Sequence, residues 1–299
     1  MTIKVRDNFL IVGDKQYAIE KKLVKKLDRV VRGVTQESPK EDALLINEGK
    51  ERKGKTNASV VEAAYFKAQT GRDVHLFFRL EPMIEFAKST KNKIIIYDEP
   101  SLDSLTGDQL NSMNKDMQRL FMTVGKNRHI FIINYTKFWK FLEYIVVDRA
   151  NGMIKMSDKE VGRFFYIRQK RLEFLWNEFR TKHKRAYKQA ASFGGAMPNF
   201  MSREFSNLGF HVEDKQNATL EDYEEQKDKA IMSIGDKKSS KVKEKEEKYE
   251  QIIINIASSA MTWPQKAAMT GMSSRRLQEI LAEKKSKQAL MEGRIGLEA

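Results

Sequence analysis

One eight-residue segment constrains the fold more than any other feature of the chain. Residues 49–56 read Gly-Lys-Glu-Arg-Lys-Gly-Lys-Thr and match the pattern G-x-x-x-x-G-K-[ST] in full. The apolar run 43–47 precedes this segment, and the residues from Asn57 onward have the apolar spacing of a helix. A glycine-containing loop between a strand and a helix points backbone amides and the helix N-terminus at one place, which suits an anion. The segment therefore predicts a phosphate-binding loop.

The side chains of this loop predict a site for ATP and Mg²⁺. Lys55 is expected to reach the β and γ phosphates, and the Thr56 hydroxyl is expected to hold the metal ion. The alternative is a basic surface turn that matches the pattern by chance. The residues predicted to bind the nucleotide are Gly49, Lys50, Glu51, Arg52, Lys53, Gly54, Lys55, Thr56 and Asn57.

A second motif follows at the end of another apolar run. Residues 94–99 read Ile-Ile-Ile-Tyr-Asp-Glu, which is the pattern of a Walker B strand. We predict that Asp98 binds Mg²⁺ and that Glu99 orients and deprotonates the attacking water. Without the phosphate loop, the same pair would be interpreted as two solvated carboxylates at a strand end.

Three polar residues further along the chain are candidates for the rest of an ATPase site. Asn134 ends the next apolar run and is a candidate sensor of the γ-phosphate, the alternative being a loop cap. Arg149 and Arg128 are candidates for an arginine finger that acts on a neighbouring subunit, and we favour Arg149. An ordinary surface arginine is the alternative for each.

The order of patterns along the chain predicts an α/β fold. Short apolar runs at 43–47, 74–78, 93–98 and 129–134 alternate with helical spacing at 56–69 and 109–123, which implies a mainly parallel sheet flanked by helices. We predict a P-loop NTPase core with a small C-terminal all-α module. The predicted divisions are an N-terminal adaptor (1–40), a P-loop ATPase domain with a basic helical extension (41–213), a charged linker (214–248) and a helix-turn-helix-like module (249–299).

The C-terminal module has the spacing of three short helices. Thr262 and Pro264 begin the second helix, and Gly271 ends it. The third helix would present four polar side chains to DNA, the alternative being a protein-interaction module. The candidate DNA-binding residues are Ser274, Arg275, Arg276 and Gln278.

Composition indicates a polyanionic partner and an intracellular location. The 299 residues include 55 Lys and Arg against 41 Asp and Glu, a formal net charge of +14, so nucleic acid is the favoured partner. The chain has no cysteine, which excludes disulfides and thiol catalysis and fits a reducing cytoplasm. No run approaches the roughly 18 apolar residues of a membrane span, so we expect a protein without one.

The two Walker segments and the run 130–141 together resemble the additional-strand, catalytic-glutamate class of P-loop ATPases. Within that class the layout resembles the HerA/FtsK motors and the zonular-occludens-toxin-like ATPases of viruses and plasmids. The resemblance covers residues 40–170. It implies a ring, often a hexamer, that pumps or packages DNA. Two features depart from it: this chain has no membrane segment of the kind common in the zonular-toxin type, and Asn134 stands where the motors usually have Gln.

Two functions therefore remain as hypotheses. The first is an ATP-hydrolysing DNA motor, of viral or plasmid origin, that acts as a ring oligomer. The second is a non-translocating ATPase that uses ATP to assemble on DNA for replication, partition or transposition. A structural protein with a degenerate loop is disfavoured, because Lys55, Thr56, Asp98 and Glu99 are all present.

Overall fold

The apolar runs of the sequence form strands in the computed structural model, which describes residues 3–36, 41–98, 107–182 and 184–282. Buried β-branched and aromatic side chains favour the extended backbone at these positions. In chain order the strands are β1 (Ile3–Arg6), β2 (Phe9–Val12), β3 (Lys15–Ala18), β4 (Ala43–Glu48), β5 (Val74–Phe77), β6 (Ile94–Asp98), β7 (Ile130–Tyr135), β8 (Gly152–Met156), β9 (Arg163–Arg168), β10 (Phe193–Ala196) and β11 (His211–Val212).

Helices connect most of these strands, as the alternating pattern predicts. Residues 274–282 are also helical. The helices are α1 (Lys21–Thr35), α2 (Lys55–Thr70), α3 (Leu80–Ser89), α4 (Gly107–Thr123), α5 (Gln169–Lys182), α6 (Lys184–Ala190), α7 (Met201–Glu204), α8 (Leu220–Ser258) and α9 (Trp263–Thr270).

Eight strands form one mostly parallel sheet in the order β10-β9-β8-β4-β7-β6-β5-β11. The pairs from β8 to β11 are parallel, and β9 and β10 add an antiparallel edge next to β8. Strand β7 lies between β4 and β6, so the ends of the two Walker strands flank the end of a third strand.

Helices cover both faces of this sheet. Alternate residues of the central strands enter two separate cores: Ala43 and Leu45 belong to the core under α1 and α2, whereas Leu44 and Ile46 belong to the core under α3, α4, α5 and α6. A strand buried on both faces has no solvated side and therefore reads as a continuous apolar run. This is why four short runs without polar alternation predicted the centre of the sheet.

The N-terminal segment, residues 3–36, contributes side chains to the core under α1 and α2. It begins with three strands, β1 to β3, in a separate antiparallel sheet. Buried Leu10 and Val12 from this sheet and Leu23 and Leu27 from α1 lie in the same core as α2. The described part of the predicted adaptor, residues 1–40, therefore packs on the domain that contains α2.

The chain divides into two compact units, Met1–Ile231 and Met232–Ala299. The boundary differs from the predicted charged linker at 214–248. The segment before Ile231 contains the start of α8, where Tyr223 and Ala230 are buried in the first unit. The linker prediction was wrong for these residues, because two buried side chains within a charged run are invisible to average composition.

The second unit contains the end of α8, α9 and the helical residues 274–282. Ile253, Ala257 and Leu277 form its buried centre, and Trp263 and Met272 pack against them. The backbone amide of Thr262 donates to the side chain of Gln265 (3.1 Å), and Gly271 ends α9 with φ of 68°, as expected for a helix that ends at glycine. The predicted three-helix pattern is present.

Candidate nucleotide-binding site

The phosphate-loop segment joins the end of β4 to the first turn of α2. Gly54 has φ of 94° at the start of this helix, a left-handed conformation that favours glycine. A Cβ on Gly49 would lie 2.8 Å from the Cβ of Met156, so the chain passes too close to β8 for a larger residue. Both glycines of the motif are therefore required by the backbone path.

Lys55 folds back over this loop. Its Nζ donates to the carbonyl oxygens of Gly49 (2.7 Å) and Lys50 (3.0 Å). Burial lowers the pKa of Lys55. A partly buried ammonium attracts an anion more strongly than an exposed one, because water screens its charge less.

The two proposed metal ligands lie in direct contact. The Thr56 hydroxyl donates to Oδ2 of Asp98 (2.9 Å), and the Asp98 side chain is almost fully buried. Residues 56 and 98 thus place a hydroxyl and a carboxylate oxygen side by side, and Mg²⁺ prefers such hard oxygen ligands while retaining several waters. These donors fit the metal ion that the phosphate loop implies.

Asn134 lies in register with Asp98 on the neighbouring strand. Its Nδ2 donates to Oδ1 of Asp98 (2.9 Å) and to Oγ of Ser59 on α2 (3.0 Å). The side chain is fully buried between the two Walker elements. The chain has a P-loop NTPase fold.

Comparisons with known proteins add little to this assignment. No family model matches the chain, and no curated protein matches it. Among solved structures, a RuvB mutant from Thermotoga maritima is similar at 12% sequence identity and a TM-score of 0.30, over 86% of this chain and 84% of that chain. The fold assignment rests on the strand order and on the loop between β4 and α2.

Sequence reasoning missed two residues of this site, both on the first turns of α8. The Tyr223 hydroxyl donates to Oδ2 of Asp98 (2.7 Å), the oxygen that also accepts from Thr56. Nζ of Lys227 lies 3.9 Å from the same oxygen and donates to the Tyr223 hydroxyl (3.1 Å). Their only sequence signal is a spacing of four within a charged helix, which does not distinguish them from solvated neighbours.

Among the other residues predicted to bind the nucleotide, some side chains are exposed and one is already hydrogen-bonded elsewhere. Lys50, Glu51 and Arg52 are exposed. Asn57 is engaged elsewhere, since its Oδ1 accepts from the amides of Phe200 and Met201 and its Nδ2 donates to the carbonyl of residue 198. The Asn57 side chain thereby anchors the start of α7, and its contact with the nucleotide stays a prediction.

Arg149 lies at the opposite end of β4 from the phosphate loop. Its guanidinium is paired with the buried carboxylate of Asp42, one residue before that strand begins. Six residues of strand, roughly 20 Å, separate the two ends. Arg128 also lies on that side, where its carbonyl accepts from Arg72 (2.7 Å). A finger contact with a neighbouring subunit stays a prediction for both arginines, and Glu99 lies outside the described residues.

The candidate DNA-binding residues are grouped on the third helix of the second unit. Arg275 and Arg276 are exposed and both form ion pairs with Glu279, at 3.4 and 3.1 Å. Gln278 is exposed, whereas the Ser274 hydroxyl donates to the carbonyl of Trp263 (3.3 Å). Exposed ion pairs contribute little energy, so both guanidiniums remain available to another partner.

Two buried glutamates lie beside the loop. Glu48 accepts from the Tyr187 hydroxyl (2.6 Å) and lies 3.5 Å from Nζ of Lys155, and burial nevertheless raises its pKa to about 7. Glu62 on α2 accepts from Nδ2 of Asn47 (2.8 Å), and burial raises its pKa to about 8. Glu62 is therefore mostly protonated at neutral pH.

The Glu62 carboxyl makes stability depend on pH. Between the ordinary glutamate pKa of 4.5 and about 8, the folded chain keeps a proton that the unfolded chain releases. The free energy of unfolding should fall through this window by about 1.4 kcal/mol per pH unit as pH rises. Glu62→Gln should remove this contribution and make the denaturant-midpoint profile less steep between pH 5 and 8, where Glu48 still contributes. Glu173→Gln on the exposed face of α5 is the control, and an unchanged slope in the Glu62 variant would contradict the assignment.

Proposed function

We propose that this chain is a Mg²⁺-dependent ATPase. The observation that carries the proposal is the contact between the Thr56 hydroxyl and the Asp98 carboxylate at the mouth of a phosphate loop that holds Lys55. The loop amides and Lys55 would bind the phosphates, and Thr56 and Asp98 would hold the metal ion. Bound Mg²⁺ would neutralise charge that develops between the β and γ phosphates.

The remaining chemistry requires a base and a γ-phosphate sensor. Glu99 follows the metal-binding Asp98 in sequence, and we assign it the orientation and deprotonation of water. Asn134 bonds to Asp98 and to Ser59 on α2, so a change at the metal would alter the hydrogen bonds of Asn134. These contacts support Asn134 as the residue that couples the nucleotide to β7.

We further propose that the ATPase acts on DNA as a ring-shaped motor. The formal charge of +14 and the cationic third helix of the second unit favour a polyanionic partner. The placement of β7 between β4 and β6 agrees with the additional-strand class, whose members include DNA-pumping rings. No helix within the described ranges is both long enough and apolar enough to cross a membrane.

Electron microscopy of the full chain with duplex DNA and a non-hydrolysable ATP analogue tests the motor. A closed ring threaded by DNA is expected. A dimer or an open filament on DNA would contradict the motor and favour the non-translocating ATPase that uses ATP to assemble on DNA.

The DNA contact is tested by removing charge from the third helix. Arg275→Ala combined with Arg276→Ala should weaken duplex binding and make its salt dependence shallower, because each lost phosphate contact removes roughly 0.9 from the slope of log affinity against log salt. Fluorescence anisotropy of a labelled duplex between 50 and 300 mM salt, concentrations chosen on the order of physiological ionic strength, measures both quantities.

The matched control for this pair is Lys4→Ala combined with Arg6→Ala, which removes two exposed charges from β1. A truncated chain that ends at Gly235 retains the whole first unit and should keep basal ATPase activity. If the arginine pair changes the sedimentation profile but not DNA affinity, the second unit mediates assembly instead.

A further inference from the structure

The first turns of α8 add a cation to the nucleotide site. Tyr223 and Lys227 are four residues apart, so both side chains leave the same face of the helix. That face lies against Asp98, with Nζ of Lys227 3.9 Å from Oδ2. Both residues belong to the first unit, together with the phosphate loop.

Lys227 is held in place at this position but remains accessible. Its Nζ donates to the Tyr223 hydroxyl (3.1 Å) and lies 5.4 Å from the centre of the Tyr223 ring. Tyr223 itself is buried and is fixed by its bond to Asp98. The Lys227 side chain is 34% exposed, so a ligand can reach the ammonium without unfolding α8.

Two ammoniums lie around the Asp98 carboxylate. Lys55 interacts electrostatically with Asp98 and Lys227 lies 3.9 Å from it, whereas the nearby Lys155 is paired with Glu48 and Asp158. Asp98 and the exposed Glu51 are the carboxylates that favour the charged form of Lys55. Two ammoniums beside one buried carboxylate are complementary to a polyphosphate.

The two lysines lie at different parts of the site. Lys55 is bonded to the loop carbonyls of Gly49 and Lys50, where the β-phosphate is cradled in this fold. Lys227 lies at Asp98, on the metal-binding side, and the metal ion bridges the β and γ phosphates. A terminal phosphate bound between these two places would have one ammonium on each side.

We propose that Lys227 contacts the γ-phosphate and is the residue by which this site distinguishes a nucleoside triphosphate from a diphosphate. This inference rests on the proposed ATPase function. Tyr223 acts as a positioning residue, because it orients the Lys227 ammonium and the Asp98 carboxylate together. The contact is made within one subunit, unlike the finger assigned to Arg149.

The test compares two ligands on the full chain. Lys227→Met keeps the length and apolar stem of the side chain and removes its charge. With Mg²⁺ present, the variant should bind a non-hydrolysable ATP analogue roughly 10-fold or more weakly than the parent, because a charge-assisted hydrogen bond is lost. Its affinity for ADP should change less than about twofold. Isothermal titration calorimetry gives both dissociation constants.

Three further proteins make the outcome decisive. Lys229→Met is the matched control, since Lys229 is an exposed lysine on the same helix that pairs with Glu225 (2.5 Å). Lys227→Arg should restore most of the triphosphate preference. Lys55→Ala should lose both ligands.

Equal losses of ATP analogue and ADP in Lys227→Met, or no loss of either, would overturn the proposal while leaving the ATPase assignment intact. If the parent chain binds neither ligand, the ATPase assignment fails instead. Should Lys227→Met fold poorly, as judged by its thermal midpoint, Lys227→Gln replaces it. If Lys227→Gln binds both ligands like the parent, or loses both equally, Lys227 only supports Tyr223 and the proposal is overturned.

Discussion

Lys55→Ala is expected to reduce ATP affinity by roughly 100-fold, because the variant loses a charge-assisted contact to the phosphates inside a weakly screened loop. The Lys55 ammonium bonds only to carbonyl oxygens of its own loop, Gly49 and Lys50, among the contacts that the structure gives it. The fold should therefore survive the substitution. Equilibrium binding of a fluorescent ATP analogue, with circular dichroism as the check on folding, measures the effect.

The control for this variant is Lys88→Ala, which removes an exposed lysine from the last turn of α3. It removes the same charge from the chain and should leave nucleotide affinity unchanged. If a folded Lys55→Ala protein binds ATP as tightly as the parent, the assignment of residues 49–56 as a phosphate-binding loop is wrong.

Glu99→Gln is expected to separate binding from chemistry. Glutamine keeps the size of the side chain and much of its hydrogen bonding but cannot accept the proton of the attacking water. Turnover should therefore fall by roughly 10²-fold or more, while ATP still binds. Steady-state phosphate release and equilibrium nucleotide binding, measured on the same preparation, provide the two numbers.

Glu85→Gln, on the exposed face of α3, is the matched control for loss of a carboxylate. If Glu99→Gln hydrolyses ATP at the parental rate, the base is another residue. Because Asp98 and Asn134 would still be in place, such a result would leave the metal site untouched.

The centre of the sheet could be predicted because its residues have few alternatives. Runs such as 94–97 and 130–133 are hydrophobic on both faces, which a buried parallel strand requires and a surface strand does not. The conformation around Gly54 could also be predicted, since the residues of the motif themselves favour the left-handed turn and the helix that follows it. These two signals were sufficient to place Thr56 and Asp98 in one site.

Long-range partners could not be predicted in the same way. Tyr223 and Lys227 are 125 and 129 positions from Asp98, and the charged segment around them has the composition of a linker. Only the packing of the first turns of α8 within the first unit gives these two side chains a role. Arg149 is a parallel case, because its ion pair with Asp42 depends on the adjacency of β4 and the segment before β8.

Phosphate release from ATP by the purified full chain, with duplex DNA present, tests whether this chain is a Mg²⁺-dependent ATPase. The measurement is made with Mg²⁺ and again with a chelator in excess. Release is expected to require Mg²⁺ and to fall by roughly 10²-fold or more in Glu99→Gln. Release that is unaffected by the chelator, or that does not exceed the rate without protein, would contradict the ATPase assignment.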